Sequence, residues 1–253
     1  MPFTVSHAAA VLPLQRLGLP LTALMIGSMA PDFGYFFAPD ASRQLTHSLS
    51  GLFIFALPAG LFVWLFYVAI LEKATITLLS DRWHTRFAHT DAITPSLIAR
   101  SCVAILIGAF THLVWDNFTH RFTWSSRHFP FLTGPTPGFG WMPIYHFLHG
   151  LSSVVGLVIL WIWLHRLHRQ PPRSLIRPYP ISERARVGSL SVIAASAVLV
   201  AVLDWLPTAH RRYDAQLFNA ALGLMSGFFI AWCCVALGLW LHARRSRRAG
   251  RGG

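Results

Sequence analysis

From Leu52 to Leu71 the chain runs for twenty residues without a charge and then stops at Glu72-Lys73. A helix of about that length spans a bilayer's hydrocarbon core, where only helices and closed barrels satisfy their own backbone. Asn219 to Leu241 is a second uncharged run, ended by His242-Ala243-Arg244-Arg245. Val187 to Leu206 is a third, marked only by Asp204. Leu97 to Trp115 carries Arg100 at its start and His112 near its end, and Gly150 to Leu164 continues upstream through Phe147-Leu148. Together these runs predict an all-α, polytopic membrane helical bundle with spans near 52–71, 97–115, 147–164, 187–206 and 219–241. Leu17 to Met29 is apolar but too short to cross alone, which predicts a short re-entrant or interfacial helix. One membrane-embedded domain is expected over 1–241, followed by a basic cytoplasmic tail at 242–253.

The formal charge of +12 has to be reconciled with this reading. A basic chain ordinarily points to nucleic acid. Here 54% of the residues are hydrophobic, with 10 Trp and 19 Phe, which excludes disorder and directs the charge to membrane loops instead. The 72–98 loop, the 166–186 loop and the tail hold fourteen Lys and Arg. The N-terminal segment, the 116–149 loop and the 207–218 loop hold six. The positive-inside rule then places the N-terminus outside and the C-terminus in the cytoplasm. Met1-Pro2-Phe3-Thr4-Val5-Ser6-His7 lacks a basic start and a cleavage pattern, so the first span is expected to act as the insertion signal. No nucleic-acid partner is expected, and membrane lipids are.

Polar residues gather on the side with few basic residues. Asp32, Asp40, Asp116, Asp204 and Asp214 fall there, with His7, His47, His112, His120, His128, His146, His149 and His210, whereas Glu72 and Glu183 fall opposite. Ionisable groups at a membrane boundary are costly unless paired or functional. His112, Asp116 and His120 are spaced i, i+4, i+8, which lines one helical face with two imidazoles and a carboxylate. That donor set suits a divalent cation, zinc above all. The same groups can instead cap the helix or pair with one another. Asp32 follows Pro31, where a helix must end, so its carboxylate projects from a terminus or caps the next segment. His47, in Thr46-His47-Ser48, and His7, after Ser6, each stand before an apolar run and would complete a ligand set.

His146 and His149 share a face at i, i+3, as metal ligands, as a general acid and base, or as interfacial residues beside Trp141 and Tyr145. His128 is a further acid–base candidate. The segment Phe122 to Pro143, rich in Pro, Gly and aromatic residues, reads as a lid or substrate rim.

The opening Ser6-His7-Ala8-Ala9, then Gly27-Ser28-Met29-Ala30-Pro31-Asp32-Phe33, Thr46-His47-Ser48 and His112-Leu113-Val114-Trp115-Asp116 through His120 closely resemble the bacterial membrane family known as domain of unknown function 4184. The pattern is also similar to that of membrane-bound metal-dependent hydrolases and, more distantly, to zinc-dependent phospholipase C. In the latter a helical His-x3-Asp, like His112 and Asp116, helps hold zinc ions that activate water against a phosphodiester. The resemblance implies His7, Asp32, His47, His112, Asp116 and His120 as ligands. The phospholipases also use an N-terminal Trp amine and a further His-x3-Glu. Here Gly150 stands four residues after His146, so one or two ions are implied rather than three.

The expected function is therefore a metal-dependent hydrolase at the outer face of the membrane, acting on a lipid-linked or phosphoester substrate. An ion-handling transporter or a non-catalytic subunit of a membrane complex is the alternative. Other chemistries have no footing. Neither Gly-x-Ser-x-Gly nor a phosphate-binding Gly-x4-Gly-Lys-Ser/Thr loop occurs, and Cys102, Cys233 and Cys234 lie inside apolar spans.

Overall fold

The computed structural model describes residues 4–37, 43–87, 90, 92–171, 177–208 and 213–249. Asp40, His210, Arg211, Arg212 and the end of the basic tail lie outside them. The fold is nearly all helix. A 3-10 turn at Thr4–His7 leads through Ala8–Val11 and Leu12–Leu17 into α1 (Leu21–Met29). The long helices follow as α2 (Leu49–Leu78), α3 (Pro95–Thr119), α4 (Ile144–His168), α5 (Glu183–Trp205) and α6 (Tyr213–Ala249). Five helices are long and apolar enough to cross a membrane, the architecture of a multi-pass membrane protein.

Most of the long helices outrun the apolar runs that announce them, because polar residues start and end a helix. Pro95 opens α3 at its first position, and the Thr94 hydroxyl accepts the Leu97 N–H at 3.2 Å. Ser182 caps α5 in the same way, accepting from Ala185 N–H at 3.2 Å. Within α2 the backbone widens into a π turn over Leu52–Ala56, just ahead of Pro58, which cannot donate to the Ile54 carbonyl.

The helices cluster as two compact units, one of residues 1–65 and 92–169, the other of 66–91 and 170–253. In the first unit α1 is buried, with Ala23 and Leu24 fully enclosed, and it packs along α3. Ala8, Ala9 and Leu12 pack with Leu160 of α4, and Ala30, Leu52, Ala56 and Ala109 form a second cluster. The 122–143 segment is ordered as a helical turn at Trp124–His128, a 3-10 turn at Pro130–Thr133 and a small antiparallel hairpin, β1 (Pro135–Thr136) with β2 (Phe139–Pro143). In the second unit α5 and α6 meet through Gly223 and Gly227. A Cβ on Gly227 would lie 2.5 Å from the Ser196 carbonyl oxygen, so only glycine permits this approach. Val154 and Trp161 of α4 and Val198 and Leu199 of α5 each expose more than half their surface, as lipid-facing side chains do.

Candidate metal centre

Two glycines decide where the centre forms. A Cβ on Gly27 of α1 would lie 2.4 Å from the Ile105 carbonyl oxygen, and one on Gly108 of α3 would lie 2.3 Å from that of Leu24. Backbone therefore meets backbone, and the Ser28 carbonyl oxygen comes within 2.8 Å of His112 Nδ1. A carbonyl only accepts, so Nδ1 carries the proton and Nε2 keeps its lone pair. One turn further along α3, Asp116 faces the same way. Asp32 enters from the 3-10 turn Ala30–Phe33 that Pro31 starts, and its Oδ2 accepts the Thr4 hydroxyl at 2.8 Å. His47 follows the short helix Arg43–Thr46, its Nδ1 2.9 Å from the Thr46 hydroxyl. His7 closes the group from the N-terminal turn, its ring stacked on that of His112 at 3.9 Å between centroids. Gly156 of α4 allows this, since a Cβ there would meet Ser6 at 2.7 Å.

The inward atoms of these five residues converge. His7 Nε2 lies 3.6 Å from Asp116 Oδ1, and His47 Nε2 lies 3.3 Å from Asp32 Oδ1 and 3.6 Å from Asp116 Oδ2. His112 Nε2 lies 3.5 Å from Asp116 Oδ2 and 3.7 Å from Asp32 Oδ1. Two donor sets could hold a metal ion, His7–His112–Asp116 and Asp32–His47–His112, with the ligand atoms of each within 4.8 Å of one another. Ligand bonds of about 2.0–2.1 Å in a tetrahedron set the donors about 3.3 Å apart, close to the spacing found. His7, Asp32, His112 and Asp116 are each at most 5% exposed, yet His7 Nε2, Asp32 Oδ1, His47 Nε2, His112 Nε2 and Asp116 Oδ1 have no hydrogen-bond partner. Each such atom costs about 1–3 kcal/mol when left unsatisfied, and five around one point have the chemistry to hold a cation. Both sets use the single inward lone pair of His112, which can bind one ion. The two sets therefore share His112 and cannot both use it at once.

Burial lowers the His7 pKa to about 4, so His7 is held neutral. Burial works against ionisation of Asp32, but its contacts with His47 and with the Thr4 hydroxyl help to hold its carboxyl below the usual range. Neutral imidazoles and ionised carboxylates are the states a metal requires.

The sequence-predicted residues divide into four groups. His7, Asp32, His47, His112 and Asp116 come together. His120 stands at their edge, outside both donor sets. The helix ends at Thr119 and His120 is already extended, with φ −128° and ψ 154°, yet its Nδ1 stays 3.5 Å from Asp116 Oδ2. Its Nδ1 faces the Asp116 carbonyl oxygen at 3.1 Å, and its ring contacts His149 at 5.4 Å between centroids. His146 and His149 line a cleft of about 970 Å³ that also reaches His47, Asp116 and His120. His128 does not line it. Its ring stacks on Trp124, and its Nδ1 lies 2.9 Å from the Trp124 carbonyl oxygen.

The family described as Domain of unknown function (DUF4184) matches residues 1–237. The chain belongs to that family. No curated protein and no solved structure matches it, so the likeness to hydrolases and phospholipases finds no counterpart among known proteins. The match covers every residue of the centre and stops before the Arg-rich end of α6.

Three contributors to the site were missed from sequence. Arg43 donates to Asp116 Oδ2 at 2.8 Å and balances its charge. Thr4 orients Asp32, and the Ser28 carbonyl orients His112. Thr4 and Ser28 sit inside the motifs that carry His7 and Asp32, but nothing in their spacing announces a bond across 28 or 84 residues.

Proposed function

We propose that this chain is a membrane-embedded metal-dependent hydrolase with one zinc ion held by His112, Asp116 and His7, and with Asp32 and His47 completing or flanking the set. The convergence of five unpartnered buried donors beside a roomy cleft carries this reading. A catalytic zinc site takes three protein ligands and keeps a position open, and either donor set has that count. Bound there, the ion would supply a water acidic enough to ionise near neutral pH and a Lewis acid for a phosphoryl or acyl oxygen. His112 is held in one tautomer by Ser28, and Asp32 and Asp116 are held by Thr4 and Arg43, so the donor set is oriented in advance. His146 and His149 line the cleft and are the groups placed to give a proton to a leaving oxygen.

The site residues belong to the segments with few Lys and Arg, so the reading puts the centre at the outer face of a bacterial cytoplasmic membrane, within reach of lipid-linked or phosphoester substrates. Elemental analysis of the detergent-purified full chain tests the first step. About one zinc per chain is expected, together with zinc-dependent release of product from a panel of ester and phosphoester amphiphiles. A wild-type protein that neither retains zinc nor rebinds it overturns the proposal.

A further inference from the structure

The cleft beside the centre is lined by groups of two unlike kinds. Leu49, Phe110, Leu113 and Val114 are apolar, and Leu49 and Phe110 are at least half exposed on the membrane-spanning helices α2 and α3. Arg43, Arg121 and Arg127 line it too, with imidazoles from His47, His120, His146 and His149. Among the described residues Asp116 is the only acid in the lining, and Arg43 is already bonded to it. Arg121 and Arg127 therefore line the cleft with no further acid among the described residues to pair them.

Their placement depends on a strained turn. Phe122 has φ 64°, the one positive φ outside glycine among the described residues, and bulky side chains rarely adopt it. Arg121 lies over the Phe122 ring at 4.6 Å, and Arg127 donates to the Phe122 carbonyl oxygen at 3.2 Å. Both arginines are thus tied to one residue, directly after the end of α3. Guanidinium pairs recognise phosphate in preference to neutral headgroups.

Resting on the hydrolase reading, we infer that the cleft takes an anionic phosphate-bearing lipid, with its phosphate held by Arg121 and Arg127 and its acyl chain along Phe110, Leu113 and Val114. The same cleft is lined by Asp116 and His47 of the centre. The cleft volume suits such a ligand, and its apolar wall lies on spanning helices, so entry from the bilayer is direct.

The test measures equilibrium binding by tryptophan fluorescence, since Trp124 lines the cleft. It uses the full chain in detergent, both zinc-loaded and chelator-treated. The probes are dioctanoyl phosphatidic acid, dioctanoylglycerol and inorganic phosphate. Phosphatidic acid is expected to bind both forms about tenfold or more tighter than either other probe. Arg121→Gln with Arg127→Gln should weaken it about ten- to hundredfold while thermal unfolding stays unchanged. Arg121→Lys with Arg127→Lys should recover part of the loss. Equal binding of dioctanoylglycerol, equal binding of inorganic phosphate, or undiminished affinity in the Gln variant each overturns the inference. Chelator-treated protein that binds the lipid but never takes up zinc separates failure of the metal reading from failure of this one.

Discussion

The two units of this chain bury polar groups in opposite ways. In the unit built from 66–91 and 170–253, Glu72 is buried but accepts the Thr90 N–H at 2.6 Å and the Thr90 hydroxyl at 3.2 Å. The Thr77 hydroxyl donates to the Lys73 carbonyl and accepts the Tyr179 N–H, and the Arg177 guanidinium donates to the carbonyls of Thr77 and Leu79. In the other unit, five buried donors share one small space and leave their inward atoms unpaired. Unpaired polar atoms also occur elsewhere, as at His84 Nε2 and Ser101 Oγ, but those belong to no metal-binding set among the described residues. Satisfied polar groups hold helices together, whereas convergent unsatisfied ones imply something to bind.

The comparison breaks most decisively at Asp116, which faces His7, His47, His112 and Arg43. Asp116→Asn keeps the shape and removes the charge. It should lower zinc affinity by more than about a hundredfold, beyond the range usual for outer-shell changes. Glu72→Gln in the other unit should cost about 1.5–3 kcal/mol of stability and leave zinc content unchanged. Parallel metal analysis and thermal unfolding of the two variants separate these outcomes. Zinc loss in Glu72→Gln would abolish the distinction between the units.

Next in size is the effect of the close helix crossings, which both units make with glycine but to different ends. Gly108→Val drives a side chain into the backbone of α1 and displaces Ser28 from His112. Gly227→Val does the same between α5 and α6. Each should cost about 1–3 kcal/mol or more through overpacking. Only Gly108→Val should also weaken zinc binding, measured by competition with a chelating dye.

A smaller effect is expected at Thr4, which touches Asp32 and not the inward atoms. Thr4→Val should lower zinc affinity about tenfold, the lower end of what a ligand-orienting group contributes, and cost about 1 kcal/mol of stability. An unchanged affinity would mean that Asp32 is not a ligand and that His7, His112 and Asp116 act without it.

These residues also show how far sequence reaches. The five long helices were legible because each holds an apolar run of membrane length, and His112 with Asp116 because helical spacing is local. His7, Asp32 and His47 were visible only as isolated polar groups before apolar segments. Their convergence depends on the Gly27–Gly108 approach and on Gly156 beneath Ser6, contacts between residues far apart in the chain. Arg43 looked like an ordinary loop charge, yet it neutralises the most connected carboxylate. The 122–143 segment reads in sequence as a lid or substrate rim, and its hairpin goes unannounced because strands of two and five residues leave no periodic signature.

His120 is where spacing and structure part, and it carries the finest test. Periodicity put it on the His112–Asp116 stripe, but the helix ends one residue earlier and its Nδ1 faces the Asp116 carbonyl. Its ring meets His149, which stands near His146 with 6.0 Å between ring centroids, so the three imidazoles form a row along the cleft that starts 3.5 Å from Asp116 Oδ2. His120→Ala should therefore leave zinc stoichiometry unchanged while lowering turnover of any substrate that the cleft accepts, by about the 10²–10⁴-fold typical of a lost acid–base group if His120 relays the proton. His128→Ala, away from the cleft, should change neither. Zinc loss in His120→Ala would return His120 to the ligand set, and a zinc-loaded variant with full turnover would confine proton transfer to His146 and His149.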